Sequence, residues 1–193
     1  MIDPITEYMI RESFLISDKT ISIDFSKFES GGRLFIVGMS GSGKTTVGRS
    51  LQKKYKSNIC HLDGCWNQFK SSSTAIPKPR KGENEDDMID QGYDCMEEII
   101  KDKKGCRIVE GINLVGPPFD KYWSLIMKEA CIIMGKSAVK AAFDAAMRDR
   151  KMNRPFFETL KRQFKNNKDM IEKLDRFRRK RISLGGDIKE FSM

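Results

Sequence analysis

The eight residues Gly38-Met39-Ser40-Gly41-Ser42-Gly43-Lys44-Thr45 carry the most specific chemistry in the sequence. Their pattern is G-x-x-x-x-G-K-[ST]. Glycines admit backbone angles that turn successive N–H groups inward and so build a concave anion site. Lys44 can then reach the terminal phosphates of a nucleoside triphosphate, and the Thr45 hydroxyl can ligate Mg²⁺. The positive end of a following helix adds to the attraction. The expected nucleotide contacts are Gly38, Ser40, Gly41, Ser42, Gly43, Lys44, Thr45 and Thr46. A glycine-rich turn with an incidental lysine has no reason to follow a buried-type strand and open a helix, and this loop does both.

Other residues suit the acceptor side of a phosphoryl transfer. Asp63, in His61-Leu62-Asp63-Gly64, falls at the C-terminal end of an expected strand, the edge where α/β sheets bind ligands. A carboxylate there can orient or deprotonate an acceptor hydroxyl; an Asp-Gly turn is the plainer alternative. Glu110 closes another expected strand, from which its carboxylate approaches the Mg²⁺ region or the substrate. His61 reads as a packing or orienting residue. In Arg148-Asp149-Arg150-Lys151-Met152-Asn153-Arg154-Pro155, at least one of Arg148, Arg150 and Arg154 is expected to close over the transferring phosphoryl group. Offsetting a helix dipole is the bland role for these arginines. Trp66 and Phe69, three apart just beyond Asp63, are the candidates for stacking on an acceptor base, with core packing as the alternative.

The elements that must position these groups follow from hydrophobic pattern. Arg33–Val37 is a short apolar run of the kind buried on both faces of a parallel sheet. Lys44–Lys56 reads as a helix with Val47, Leu51 and Tyr55 on one side. Further strands are expected over 58–62, 106–110 and 130–134, and further helices over 87–101 and 137–150. Residues 71–87 lose the apolar rhythm and gain Pro77, Pro79 and Gly82, which predicts a loop. Strands alternating with helices predict an α/β fold: a three-layer P-loop NTPase architecture with a central parallel sheet and a helical lid. The expected organisation is an accessory helix (5–14) and strand (20–25) within 1–32, a catalytic domain over 33–182 with its lid at about 148–160, and a tail over 183–193.

Composition narrows the class. With 39% hydrophobic and 33% charged residues, the 193-residue chain has only strand-sized apolar runs, which predicts no membrane span. Its first residues do not read as a secretory signal, so a cytoplasmic location is expected. Five scattered cysteines without a C-x-x-C pair, and one histidine, argue against a structural zinc site and for reduced thiols. The net charge of +9 suits either a polyanion or ATP and phosphorylated acceptors. Much of the excess is late, in Lys161, Arg162, Lys165, Lys168, Lys173, Arg176, Arg178, Arg179, Lys180 and Arg181. That run is either a solvated helix face, with Asp169, Glu172 and Asp175 interleaved, or a nucleic-acid contact surface.

Over about Arg33–Arg154 the chain resembles the nucleoside and nucleoside-monophosphate kinase-like branch of P-loop proteins. Leu62-Asp63-Gly64 is similar to the Leu-Asp-Gly-Asp stretch of adenylylsulfate kinases. Val109-Glu110-Gly111 and Arg148-Asp149 are similar to a strand end and the lid of uridine kinases. The resemblance implies an ATP-dependent phosphotransferase, with ATP and Mg²⁺ as donor and cofactor, Asp63 facing an acceptor hydroxyl, and a lid arginine at Arg148 or Arg154. Cys65 stands where the sulfate-activating family has its second Asp, and Arg154 sits one place later than the uridine kinase spacing, so neither family's acceptor carries over. The chain also resembles phage enzymes that phosphorylate deoxynucleotides or hydroxymethylated pyrimidines in DNA. That implies the host cytoplasm and an acceptor that is a nucleoside, a nucleotide or DNA-borne. A reading of another class is an NTP-hydrolysing switch or assembly ATPase, but neither N-K-x-D nor a clear hhhhDE segment is present.

Overall fold

The computed structural model describes residues 19–69, 85–102, 104–115, 119–135, 138–150 and 155–192. In chain order its elements are β1 (Ile21–Ile23), α1 (Phe25–Glu29), β2 (Leu34–Val37), α2 (Lys44–Tyr55), β3 (Ile59–His61), α3 (Glu85–Ile100), β4 (Ile108–Glu110), α4 (Trp123–Ile126), β5 (Ala130–Ile133), α5 (Ala138–Arg150), α6 (Phe156–Ser183) and β6 (Ile188–Glu190). A 3₁₀ segment, Leu62–Phe69, follows β3. The expected helix over 5–14 and nearly all of the expected loop over 71–87 lie outside the described residues.

The fold is α/β, built on one six-stranded sheet of spatial order β3-β4-β2-β5-β1-β6. The strands β3, β4, β2 and β5 are parallel, whereas β1 and β6 add antiparallel pairs, so the sheet is mixed. Thus β1, from the segment read as an accessory, and β6, from the segment read as a tail, both complete the sheet.

Every residue of β2 is buried, because both faces of this strand are covered. Leu34 and Ile36 alternate with Phe35 and Val37, as a period of two requires. The first pair joins Val47 and Leu51 of α2 and Ile108, Ala130 and Ile132 of the neighbouring strands. The second joins Val109, Cys131 and Ile133 together with Ile171, Leu174 and Phe177 of α6, which recur at helical spacing. Each such side chain stabilises the fold by about 1.5–3 kcal/mol relative to an exposed one. Phe177 meets Trp123 edge-on, at 5.3 Å between ring centroids.

The basic segment after Pro155 is one 28-residue helix, and besides the mixed sheet two further findings differ from the sequence expectations. Within that helix Arg181 is not a surface cation: it is 2% exposed and its guanidinium donates to the Asp24 carboxylate at 2.8 Å and to the Gly185 carbonyl at 2.8 Å. The cysteines are not all free thiols either. Cys60 is disulfide-bonded to Cys106 and Cys65 to Cys95, with Cα separations of 5.9 and 5.8 Å. The fold brings these pairs together across 46 and 30 residues of chain, which spacing alone does not reveal. Cys131 remains a buried thiol. Among the described residues no helix is long and apolar enough to cross a membrane.

Candidate active site

The glycine loop leaves the end of β2 and delivers the chain to the first turn of α2. Gly41 and Gly43 adopt left-handed backbone angles, φ 80° and 93°, which a side chain would resist. Packing also forbids a side chain at Gly41, where a Cβ would lie 2.0 Å from the Ala141 carbonyl oxygen. The buried small residues Ala141 and Ala145 of α5 allow this close approach. From α6, the Asn167 amide donates to the Ser40 carbonyl at 3.4 Å. The Ser42 hydroxyl is buried in the loop and has no hydrogen-bond partner among the described residues. A buried polar atom of this kind fits a site whose partner is a ligand oxygen.

Lys44 is only 7% exposed, and its ammonium donates to the Met39 carbonyl at 2.8 Å. Burial pushes its pKa below the ordinary lysine value, opposed by the carboxylates of Glu110 and Asp63. The next residue, Thr45, donates its hydroxyl to Glu110 Oε1 at 2.9 Å. The same Glu110 oxygen pairs with His61 Nδ1. Strand register explains the convergence, since Glu110 of β4 pairs with Ile36 on one side and with His61 on the other.

Lys44 and Thr45 open onto a cavity of about 470 Å³, also lined by Ser40, Gly41, Gly43 and Thr46 of the loop and first helical turn. Its other walls are Arg49, Asp63, Glu110, Asp144 and Arg148. The volume lies within the range of small-molecule sites. Asp63 is exposed in the first turn of the 3₁₀ segment, whose Leu62 is buried beneath Gly111. The two disulfides flank Asp63, at Cys60 before it and Cys65 after it.

Arg148 is held by its neighbour in sequence. Its guanidinium lies 3.1 Å from Asp149 Oδ1, and Asp149 is 1% exposed with Arg162 of α6 at 3.7 Å from its other oxygen. The buried carboxylate therefore pairs with guanidiniums from two helices, of which Arg148 lines the cavity.

Most of the sequence-selected residues meet here. Ser40, Gly41, Gly43, Lys44, Thr45, Thr46, Asp63, Glu110 and Arg148 share the cavity, while Gly38 and Ser42 lie buried within the loop itself. A Cβ at Gly38 would approach Met134 Cβ and Ser42 Oγ to 2.7 Å each, which explains the glycine without a ligand. Trp66 and Phe69 belong to the 3₁₀ segment and Arg150 ends α5, but their side chains lie outside the described ones; Arg154 lies outside the described residues altogether. Two lining residues escaped sequence reasoning. Arg49 is one helical turn beyond Thr45, and Asp144 is one turn before Arg148, so the 3.6-residue period was the signal that could have found them.

Among the described residues no group of three or more His, Cys, Asp or Glu is arranged to hold a metal ion. The oxygen pair of Thr45 and Glu110 nevertheless suits a hard cation such as Mg²⁺, which takes one or two protein oxygens and fills its shell with phosphate and water. No protein-family model and no curated protein matches this chain.

Proposed function

We propose that this protein is an ATP-dependent phosphotransferase of the three-layer P-loop kinase class, moving the γ-phosphoryl group of ATP to a hydroxyl or phosphate of a nucleoside-type acceptor. The observation that carries the reading is the sharing of one cavity by a buried lysine in the glycine cup after β2 and an exposed carboxylate just beyond the end of β3, two strands away, Lys44 and Asp63. Phosphate-binding and acceptor-activating groups must face the same space for direct transfer.

In this reading the loop amides and Lys44 hold the β- and γ-phosphates in place of the Met39 carbonyl. Thr45 and Glu110 would hold Mg²⁺, whose charge neutralises the phosphate oxygens when bound. Asp63 accepts the proton of the acceptor hydroxyl as that oxygen bonds to the γ-phosphorus. The bond from the γ-phosphorus to the bridging oxygen breaks, and ADP leaves with that electron pair. Arg148, fixed by Asp149, stabilises the charge that moves. The segment 148–160 acts as the lid. In the cytoplasm expected for such an enzyme, the two cysteine pairs would be reduced.

A DNA-borne acceptor, such as a hydroxymethylated pyrimidine, is a second reading, supported by the exposed Lys161, Lys165, Arg176, Arg179 and Lys180 along α6. Transfer of labelled γ-phosphate from ATP to nucleosides, nucleotides, adenylylsulfate, and plain or hydroxymethyl-containing DNA, at two salt concentrations, tests both. Transfer to DNA that falls steeply with salt supports the second reading. Transfer to none of them, with ATP hydrolysis stimulated by a protein partner, rejects the kinase in favour of a switch ATPase.

A further inference from the structure

Three cations line the candidate cavity, and two of them are engaged. Lys44 donates to the Met39 carbonyl, and Arg148 is paired with the buried Asp149. Arg49 is the third, and among the described residues it has neither an ion pair nor a hydrogen-bond partner. Elsewhere Arg33, Arg107 and Arg181 each donate to carbonyls, and Arg33 and Arg181 also reach carboxylates, whereas among the described residues Arg176 of the exposed face of α6 meets only the Trp123 ring. An arginine in solvent on a helix surface requires no partner. Arg49, however, borders the same cavity as Thr46 and Asp63. It is four residues beyond Thr45 and three beyond Thr46, so it lies on the same face of α2, roughly 6 Å further along the axis from the cup.

We propose that Arg49 binds a phosphate of the acceptor, so that the enzyme takes a phosphorylated nucleoside, as a monoester or within a nucleic-acid strand, rather than a free nucleoside. This rests on the kinase reading above and specifies its acceptor. The division of charge in the cavity supports it. Lys44 lies at the cup, where the donor's phosphates belong. Asp63 and Arg49 line the same cavity from outside the loop, one suited to a hydroxyl and the other to an anion. A guanidinium offers paired N–H donors that match two phosphate oxygens, which fixes an acceptor's orientation as well as its affinity. A neutral nucleoside would leave Arg49 in water and draw nothing from it. The net charge of +9 favours the approach of anionic acceptors over neutral ones.

The test uses the full chain loaded with the non-hydrolysable analogue AMP-PNP and Mg²⁺. Binding is measured for four deoxynucleosides, their 5′-monophosphates, and a single-stranded 12-mer carrying only internal phosphates. At least one phosphorylated ligand is expected to bind about ten- to a hundred-fold more tightly than its nucleoside, the loss typical of a hydrogen bond to a charged group. Preference for monophosphates identifies a monoester acceptor, and preference for the 12-mer a diester. Arg49→Gln should abolish that advantage, Arg49→Lys should restore part of it, and the AMP-PNP affinity of Arg49→Gln should stay within about twofold of the parent. Equal binding of nucleosides and phosphorylated ligands overturns the inference, as does an advantage that survives in Arg49→Gln, or binding of none of the ligands beside intact AMP-PNP binding. Failure of AMP-PNP itself to bind overturns the kinase reading and this inference with it.

Discussion

The Thr45 hydroxyl donates to the Glu110 carboxylate at 2.9 Å, tying the first turn of α2 to the end of β4. One residue comes from the glycine-lysine motif and the other from a strand 65 residues later. If the pair receives Mg²⁺, Glu110→Gln should lower phosphoryl transfer about 10- to 100-fold and raise the Mg²⁺ concentration needed for half-maximal rate. A magnesium titration of both proteins checks this, and an unmoved midpoint would reject the metal role. A double-mutant cycle with Thr45→Ala should show a coupling of about 0.5–3 kcal/mol.

Lys44 gives a prediction with a definite sign. Burial lowers its pKa in the free protein, and a bound polyphosphate favours the charged form, raising it again. If the cup binds ATP, then over the pH range where free Lys44 is partly neutral binding should take up protons, and affinity should fall as pH rises through the lowered pKa. Titration calorimetry in two buffers of different ionisation enthalpy measures that uptake. The uptake should vanish in Lys44→Met, which should also lose most transfer while keeping its fold.

Asp24 and Arg181 couple the two ends of the described chain. Hydrogen bonds from Lys27 first, then from Arg181 and the Asp187 amide, hold the Asp24 carboxyl down at about 2 against the opposing effect of burial. Because the folded value is depressed, the stability it contributes is present above the unfolded value near 4 and is lost as pH falls towards 2. Asp24→Asn keeps a residue that tolerates the left-handed φ of 52° yet strips a buried guanidinium of its counter-charge. The expected loss is about 3–5 kcal/mol by denaturant unfolding at neutral pH, and the acid sensitivity between pH 4 and 2 should shrink with it.

The cysteines are countable. Denatured without reductant, the protein should show one reactive thiol, Cys131, and after reduction all five. In the native state Cys131 should react slowly, since burial pushes its pKa up to about 12. Cys65→Ser should cost about 3–4 kcal/mol under oxidising conditions and little under reducing ones, as expected for a loop of 30 residues. Five reactive thiols in the absence of reductant would exclude both cross-links.

Much of the scaffold was legible because it is locally encoded. The run at 33–37 gave β2, Val47 and Leu51 recur on the buried side of α2, and the strands ending at Glu110 and Ile133 were apolar, β-favouring stretches. The partners of Arg181 and of the cysteines were not legible, because the contacts of these residues are with chain 157, 46 and 30 residues away. A basic residue followed by basic residues reads as solvated surface until the fold supplies a buried carboxylate beneath it. Arg49 is a related case: helical period puts it on the Thr45 face of α2, but only the fold shows that this face lines a cavity.

By itself the sequence determined a glycine cup between a buried strand and a helix, since backbone freedom and hydrophobic period act within a few residues. The tertiary structure alone decided that the sheet is mixed, that Glu110 stands against Thr45, and that Asp63 lies between two cross-links. It also decided that one arginine of the basic helix is core. Those outcomes depend on strand order and register, which are set by contacts between segments distant in the chain.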